Sequence, residues 1–218
     1  MKRTLIVSAL GLTTAAATAQ TPYLEDFNNG AAGWTDVSSN PIGWVGSGAL
    51  DGSAYVQAEF DINNADPTFG ALLFRIENGA SGGNFAGDFL AGGITGFRFD
   101  VYQDSGVDLN YSVRVSTNPF PAFVMVNPNP VASGQWTTIE ILLDPNSPWY
   151  FSENPVDPNV YNTVMSSVAK MQIAILRPGG ITEATPTTFS VDNFATIPTP
   201  ASAALLGLGG LVATRRRR

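Results

Sequence analysis

The sequence predicts an all-β chain folded as an antiparallel jelly-roll β-sandwich with one short helix. Three observations carry that expectation. Apolar and polar residues alternate at a period of two, the alternating runs are short, and clusters of Gly, Pro, Asn and Asp separate them. A length of 218 residues suits one domain with short appendages and is enough to bury a core.

The elements follow in chain order. "YVQAEFDI" sets Val56, Ala58, Phe60 and Ile62 against Gln57, Glu59 and Asp61, the mark of a strand buried on one side, and "ALLFRIEN" is the next candidate. The Gly-rich "NGASGGNFAGDFLAGG" at 78–93 reads as a long loop. It lacks the Gly-Lys-Ser/Thr ending of a phosphate loop, which argues against a nucleotide site. "GFRFDVYQD" turns Phe97, Phe99 and Val101 inward and Arg98, Asp100 and Tyr102 outward. The cleanest alternation is "DLNYSVRVST", with Leu109, Tyr111, Val113 and Val115 on one face and Asn110, Ser112, Arg114 and Ser116 on the other. "AFVMVNP", "WTTIEILLD", "KMQIAIL" and "TFSVDNF" bring the set to eight or nine strands. "DPNVYNTVMSSVAKM" breaks the period: Val160, Val164 and Val168 recur every four residues and predict a short helix across the sandwich.

Charge and composition narrow the function. All 18 acidic residues lie between 20 and 197 with only five basic ones, so five minus eighteen gives this stretch a formal charge of −13. Such a body repels phosphate backbones and attracts cations, which argues against nucleic acid as a partner. Cys and His are both absent. Disulfides, thiolate nucleophiles, Cys- or His-based zinc sites and imidazole catalysis are thereby excluded. The fold must stand on its core or draw stability from a bound ion.

Both ends read as targeting segments. "MKRTLIVSALGLTTAAATAQ" has a basic start, an apolar run from Leu5 to Leu12 and small residues up to Ala19, the pattern of a cleavable export signal. The expected division is residues 1–19 as signal peptide, 20–197 as the β-sandwich domain and 198–218 as a sorting or anchoring segment. Residues 201–214 form an apolar run of 14, short of the ~20 that span a bilayer comfortably. Arginines at the end of such a run hold it with the charges on the cytoplasmic side. The order of Pro-rich lead, short apolar run and Arg215, Arg216, Arg217 and Arg218 resembles the PEP-CTERM sorting signal of exported bacterial proteins. That resemblance implies recognition by an exosortase-type membrane protease and release or attachment at the cell surface. Membrane contact is then transient and confined to this segment. The signature Pro-Glu-Pro reads Pro198-Thr199-Pro200 here, and a plain tail anchor is the alternative.

A second resemblance spans most of residues 23–196. "YLEDFNNGAAGW", "GDFLAGGITGFRFDVY", "GQWTTIEILL", "YNTVMSSVAKMQIAIL" and "FSVDNFAT" follow in an order similar to laminin B-like domains and jelly-roll carbohydrate-binding modules. It implies a galactose-binding-like sandwich that binds extracellular polysaccharide or matrix without catalysis. It also implies a structural calcium held by Asp192 on the closing strand and by Glu25 or Asp26 on the opening one, since Ca²⁺ takes hard oxygen ligands. The alternative is that these are solvated strand-end carboxylates.

Glycans stack on flat aromatic rings, which makes "PWYFSENP" a candidate platform of Trp149, Tyr150 and Phe151; the same rings could instead cap the core. Trp34, Trp44 and Trp136 read as core. The outward Arg98, Asp100, Tyr102, Asn110 and Arg114 could line a groove, with Arg98 and Tyr102 the residues expected on ligand, or could form a solvated face. A carboxylate pair of the glycosidase type, involving Glu59 or Glu140, is a lesser alternative. So is a structural matrix protein with no small ligand.

Overall fold

The computed structural model describes residues 19–62, 71–77, 79–176 and 186–200. Eleven strands in two antiparallel sheets make up this part, as the alternation predicts. The strands are β1 (Leu24–Glu25), β2 (Gly43–Val45), β3 (Tyr55–Asp61), β4 (Ala71–Ile76), β5 (Ile94–Gln103), β6 (Tyr111–Ser116), β7 (Ala122–Val126), β8 (Thr137–Leu142), β9 (Tyr150–Ser152), β10 (Lys170–Ile175) and β11 (Pro186–Pro198). One sheet runs β2-β3-β11-β5-β8 with β1 added beside β11; the other runs β4-β10-β6-β7-β9. Three short strands escape the sequence pattern: β1, β2 and β9 hold two or three residues each, too few to display a period.

The inward faces close on each other. Phe97, Phe99, Val101, Ile139, Ile141, Phe189 and Val191 from the six-stranded sheet meet Phe74, Val113, Val115, Phe123, Met171 and Ile173 from the five-stranded one, all buried. Phe194 is the hub, with its ring centroid 5.0–5.4 Å from those of Trp34, Phe85, Phe97 and Phe99. Trp34 is core, as expected, and its indole N–H donates to Ser81 Oγ at 2.9 Å. Tyr111 is buried too; burial pushes its phenol well above the usual range.

The helix α2 (Val160–Met165) sits where the four-residue spacing places it, with Val160, Val164 and Met165 buried. Val168 lies beyond its end, pairing with Gly87. The Gly-rich stretch differs from the expected loop. It contains a 3-10 turn, Ala80–Gly83, and a helical turn α1 (Phe89–Gly92), and it buries Ala80, Phe85 and Phe89. Gly92 explains part of its composition, because a Cβ there would collide with the carbonyl of Gln20. Gln20 is itself buried, and its backbone N–H donates to Asp88 O at 2.9 Å. The chain is thus tied into the domain right at the point expected to follow the export signal.

Candidate functional site

Antiparallel partners point to the same face of a sheet, so the register converts strand positions into surface rows. Across the five-stranded sheet it aligns Arg75, Gln172, Arg114, Val124 and Phe151 on β4, β10, β6, β7 and β9 in turn. Their sequence neighbours Phe74, Ile173, Val113 and Phe123 face the core, so this row lies on the outer surface. The row is recessed rather than fully solvated: Gln172 is only 5 % exposed. Arg114 bridges Glu153 with two N–H groups, one of them at 2.7 Å, and Gln172 Oε1 with a third at 3.0 Å. Three of its five N–H donors are used within the protein, leaving two. Arg75 is committed elsewhere, to Glu77, Ser39 and the Val37 carbonyl.

The row ends on an aromatic edge. Phe151 is 52 % exposed, and Trp149, just before β9 and facing β8 of the other sheet across a cavity, is 38 % exposed. Trp149 overlies a cavity of about 310 Å³ that Asn127, Asn129, Glu140 and Asp144 also line. Tyr150 must be removed from the expected platform. It alternates inward, its ring 5.3 Å from Phe123 and 6.2 Å from Tyr161, and burial raises its phenol pKa. In a loop every ring would be equally free to face outward; as a strand, Tyr150–Ser152 must divide its side chains between two faces.

The expected groove of Arg98, Asp100, Tyr102, Asn110 and Arg114 does not form, because these residues belong to different sheets. Arg98, Asp100 and Tyr102 lie on the outer face of the six-stranded sheet, while Arg114 lies on the outer face of the other. Arg98 pairs with Glu140 at 3.8 Å, both side chains well exposed. Asn110 instead pins a turn, donating to Asn127 O at 3.0 Å. Tyr102 packs on Trp136 at 5.8 Å, and Trp136 in turn on Tyr55 at 5.3 Å. Trp136 is therefore a half-buried surface ring, not the core residue expected. Trp44, also expected in the core, is 47 % exposed on the edge strand β2.

The carboxylates also regroup. Glu25 pairs in register with the core residue Phe194 and so faces inward, where Tyr23 Oη and the Phe27 N–H donate to it at 3.3 Å each. Asp26 is taken up by a local turn, accepting from the Asn28 N–H at 3.1 Å. Asp192 faces the opposite way, beside Asp100, because a bulge between Asp192 and Ala195 shifts the strand's alternation. Asn193 adopts φ +50° in that bulge. Its Nδ2 lies 3.0 Å from Asp100, 3.2 Å from Asp192 and 3.4 Å from Asp51. The expected set of Glu25, Asp26 and Asp192 is thus not one site; Asp192 gathers with Asp51 and Asp100. Among the described residues, no group of three acids stands ready in metal-binding geometry, and the Asn193 amide occupies the point where these three converge. Asp192 is fully buried, and its Oδ1 has no hydrogen-bond partner. Burial raises its pKa, and the Asp51 and Asp100 charges add to the rise against hydrogen bonds from Ser53 and the Asn193 backbone.

Of the sorting residues, Pro198 is the last residue of β11 and pairs with Ile94, and the Thr199 N–H donates to Gly93 O at 2.6 Å. Pro200 follows directly. Residues 1–18, the run at 201–214 and Arg215 to Arg218 lie outside the described residues. No helix among the described residues is long and apolar enough to cross a membrane.

No family model matches this sequence, and no curated protein matches it either. Solved structures do. One described as an exo-beta-agarase is 13% identical, with a TM-score of 0.54 over 83% of this chain and 25% of that chain. The endo-1,4-beta-D-xylanase 10B of Clostridium thermocellum, with its CBM22-1 and GH10 modules complexed with xylohexaose, is 15% identical over 83% of this chain and 29% of that one, at TM-score 0.46. The L4b domain of human laminin alpha-2 is 11% identical over 87% of this chain and 94% of that one, at TM-score 0.43. The chain spans about a quarter of the length of the two enzyme chains. The likeness is one of fold: an antiparallel jelly-roll β-sandwich. Neighbours of this fold include carbohydrate-binding modules and laminin domains.

Proposed function

We propose that this chain is an exported, surface-sorted, non-catalytic module that binds extracellular polysaccharide on the outer face of the five-stranded sheet. One observation carries the reading. A recessed Arg114–Glu153–Gln172 network ends on the exposed rings of Phe151 and Trp149. Sugar rings combine an apolar face with equatorial hydroxyls, and this arrangement offers both counterparts: flat rings for stacking and paired donors and acceptors for vicinal hydroxyls. The carbohydrate-binding neighbours agree in fold but do not transfer a ligand. Export and surface sorting rest on the sequences of the two ends, with an exosortase-type protease as the partner of the C-terminal segment.

The expected structural calcium keeps one foothold, with a changed set of residues. The Asp192 carboxylate, whose Oδ1 has no partner and whose Oδ2 meets the Asn193 amide that also reaches Asp51 and Asp100, would hold the ion with those two acids once the amide moved aside. A cation there would neutralise a cluster of acids and fasten the loop bearing Asp51 to β11.

Affinity electrophoresis of the full chain through gels containing soluble xylan, hydroxyethylcellulose or agar polysaccharide tests the binding reading. Retardation by one of them, lost in Phe151→Ala with its melting temperature unchanged, is the expected result. Equal mobility in all three gels overturns the reading for these glycans and favours a structural matrix protein.

A further inference from the structure

The aromatic edge does not stop at Phe151. Glu153, two residues further along, keeps the pairing with β7 through its backbone N–H, which donates to Ala122 O at 3.1 Å. Beyond Ala122 the β6–β7 hairpin is closed by the Thr117 N–H donating to Pro121 O at 3.0 Å, and its tip carries Phe120, 67 % exposed. A groove of about 410 Å³ runs beneath that ring, lined by Phe120, Glu153, Asn154, Asp157 and Thr163. Its far wall belongs to α2 and the turn before it. Glu153 is common to both regions: Arg114 holds it from the recessed row, and it faces the groove from the other side.

Trp149, Phe151, Glu153 and Phe120 therefore follow one another along a single sheet edge. Val126 lies beside Trp149, since the Val126 N–H donates to Trp149 O at 3.1 Å. From Val126 to Ala122 the strand covers about 13 Å at strand rise, and Phe120 stands beyond its end on the hairpin tip. Three exposed rings along one edge, with hydrogen-bonding groups between them, are more than a single sugar can cover. A large ring left exposed on a hairpin tip gains nothing for the core, and its removal costs the fold little.

We infer that the ligand is a linear glycan lying along the β9 edge, with Phe120 as its far stacking platform. The inference rests on the glycan-binding reading and adds the direction of the chain, its minimum length and a residue outside the recessed row. Asn154, Asp157 and Thr163 supply the polar contacts of the far subsite.

The test is titration calorimetry of the full chain with disaccharides and hexasaccharides of the three polysaccharides: xylobiose and xylohexaose, cellobiose and cellohexaose, neoagarobiose and neoagarohexaose. The expected result is that one hexasaccharide binds at least tenfold tighter than its disaccharide. Phe120→Ala should weaken the hexasaccharide about tenfold and leave the disaccharide unchanged. Thr163→Val, which removes one hydroxyl from the groove wall, should show the same split to a smaller extent. Equal affinity for both lengths, or an equal loss for both in Phe120→Ala, overturns the inference while leaving glycan binding intact. Absence of binding to all six probes by protein with an unchanged melt overturns the binding reading, and this inference with it.

Discussion

The two outer faces of the sandwich start from the same kind of strand, apolar residues inward and polar ones outward, and end as opposites. On the five-stranded sheet the polar residues pair off: Arg114 with Glu153 and Gln172, Arg75 with Glu77. On the six-stranded sheet three acids, Asp51, Asp100 and Asp192, crowd around one amide, while the nearby Arg98 turns to Glu140. On the first face Arg75 and Arg114 both have carboxylate partners, although the buried Arg75 Nε and Ser112 Oγ have no hydrogen-bond partner, and the aromatic edge is open to a neutral ligand. The second carries unsatisfied negative charge on a buried oxygen, a demand that a proton or a cation can meet. A polar strand face is thus not one kind of surface; cross-strand partners decide which kind it becomes.

The largest expected effect falls on the first face. Arg114→Ala leaves Glu153 and Gln172 without their donor in a mostly buried setting and should cost about 2–3 kcal/mol, below the range for a fully buried pair because water still reaches the site. Urea melts should show it together with loss of retardation in the glycan gel. A cost under half a kcal/mol would mean that the network is not structural.

On the acidic face, Asp192→Asn should separate the proton from the cation. A carboxyl whose folded pKa is raised binds its proton more tightly in the folded state. Its contribution is present below the unfolded pKa near 3.8 and is lost as pH rises through the folded value. With chelator present, the substitution should therefore raise the melting temperature at pH 8 relative to the parent, and the gain should shrink toward pH 4. If calcium binds there, the parent gains stability when the ion is added and Asp192→Asn does not. An identical melt in calcium and in chelator would end the calcium proposal and leave the proton.

Phe151→Ala and Trp149→Ala should each weaken glycan binding about tenfold, with little change in melting temperature, since both rings are substantially exposed. The smallest effect belongs to Arg98→Ala. Its ion pair with Glu140 is exposed on both sides, so stability should change by less than about 0.5 kcal/mol and glycan binding not at all. A marked loss of binding would show that the glycan reaches past Glu140 onto the six-stranded sheet, and would blur the contrast between the faces.

How much of this was legible follows from the range of each signal. Alternation in "DLNYSVRVST" and "GFRFDVYQD" is local and survives folding, so β5 and β6 lie where the pattern places them. The four-residue spacing at Val160 and Val164 is equally local, and α2 follows it. The site was legible only in fragments. Trp149 and Phe151 stand out as rings in a polar stretch, but a three-residue strand is too short to reveal that Tyr150 turns away from them. Phe120, enclosed between two prolines, carries no periodic signal; only its position on the hairpin beside α2 marks it. The separation of Glu25 from Asp192 has a physical cause in the bulge at Asp192 and Asn193. One extra residue reverses which face each following side chain takes, and no composition reports it.

By itself the sequence determined the all-β class, the inward-facing residues of the long strands, the short helix and the acidic body without Cys or His. These depend on periods of two and four, on side-chain chemistry and on segment order, all of which are written along the chain. The tertiary structure alone decided which polar residues become neighbours. Arg114 meets Glu153 across 39 residues and Asp51 meets Asn193 across 142, through strand register that is set by packing two whole sheets against each other. Register is a collective property of the core, so the surfaces it assembles exist only once the core has closed.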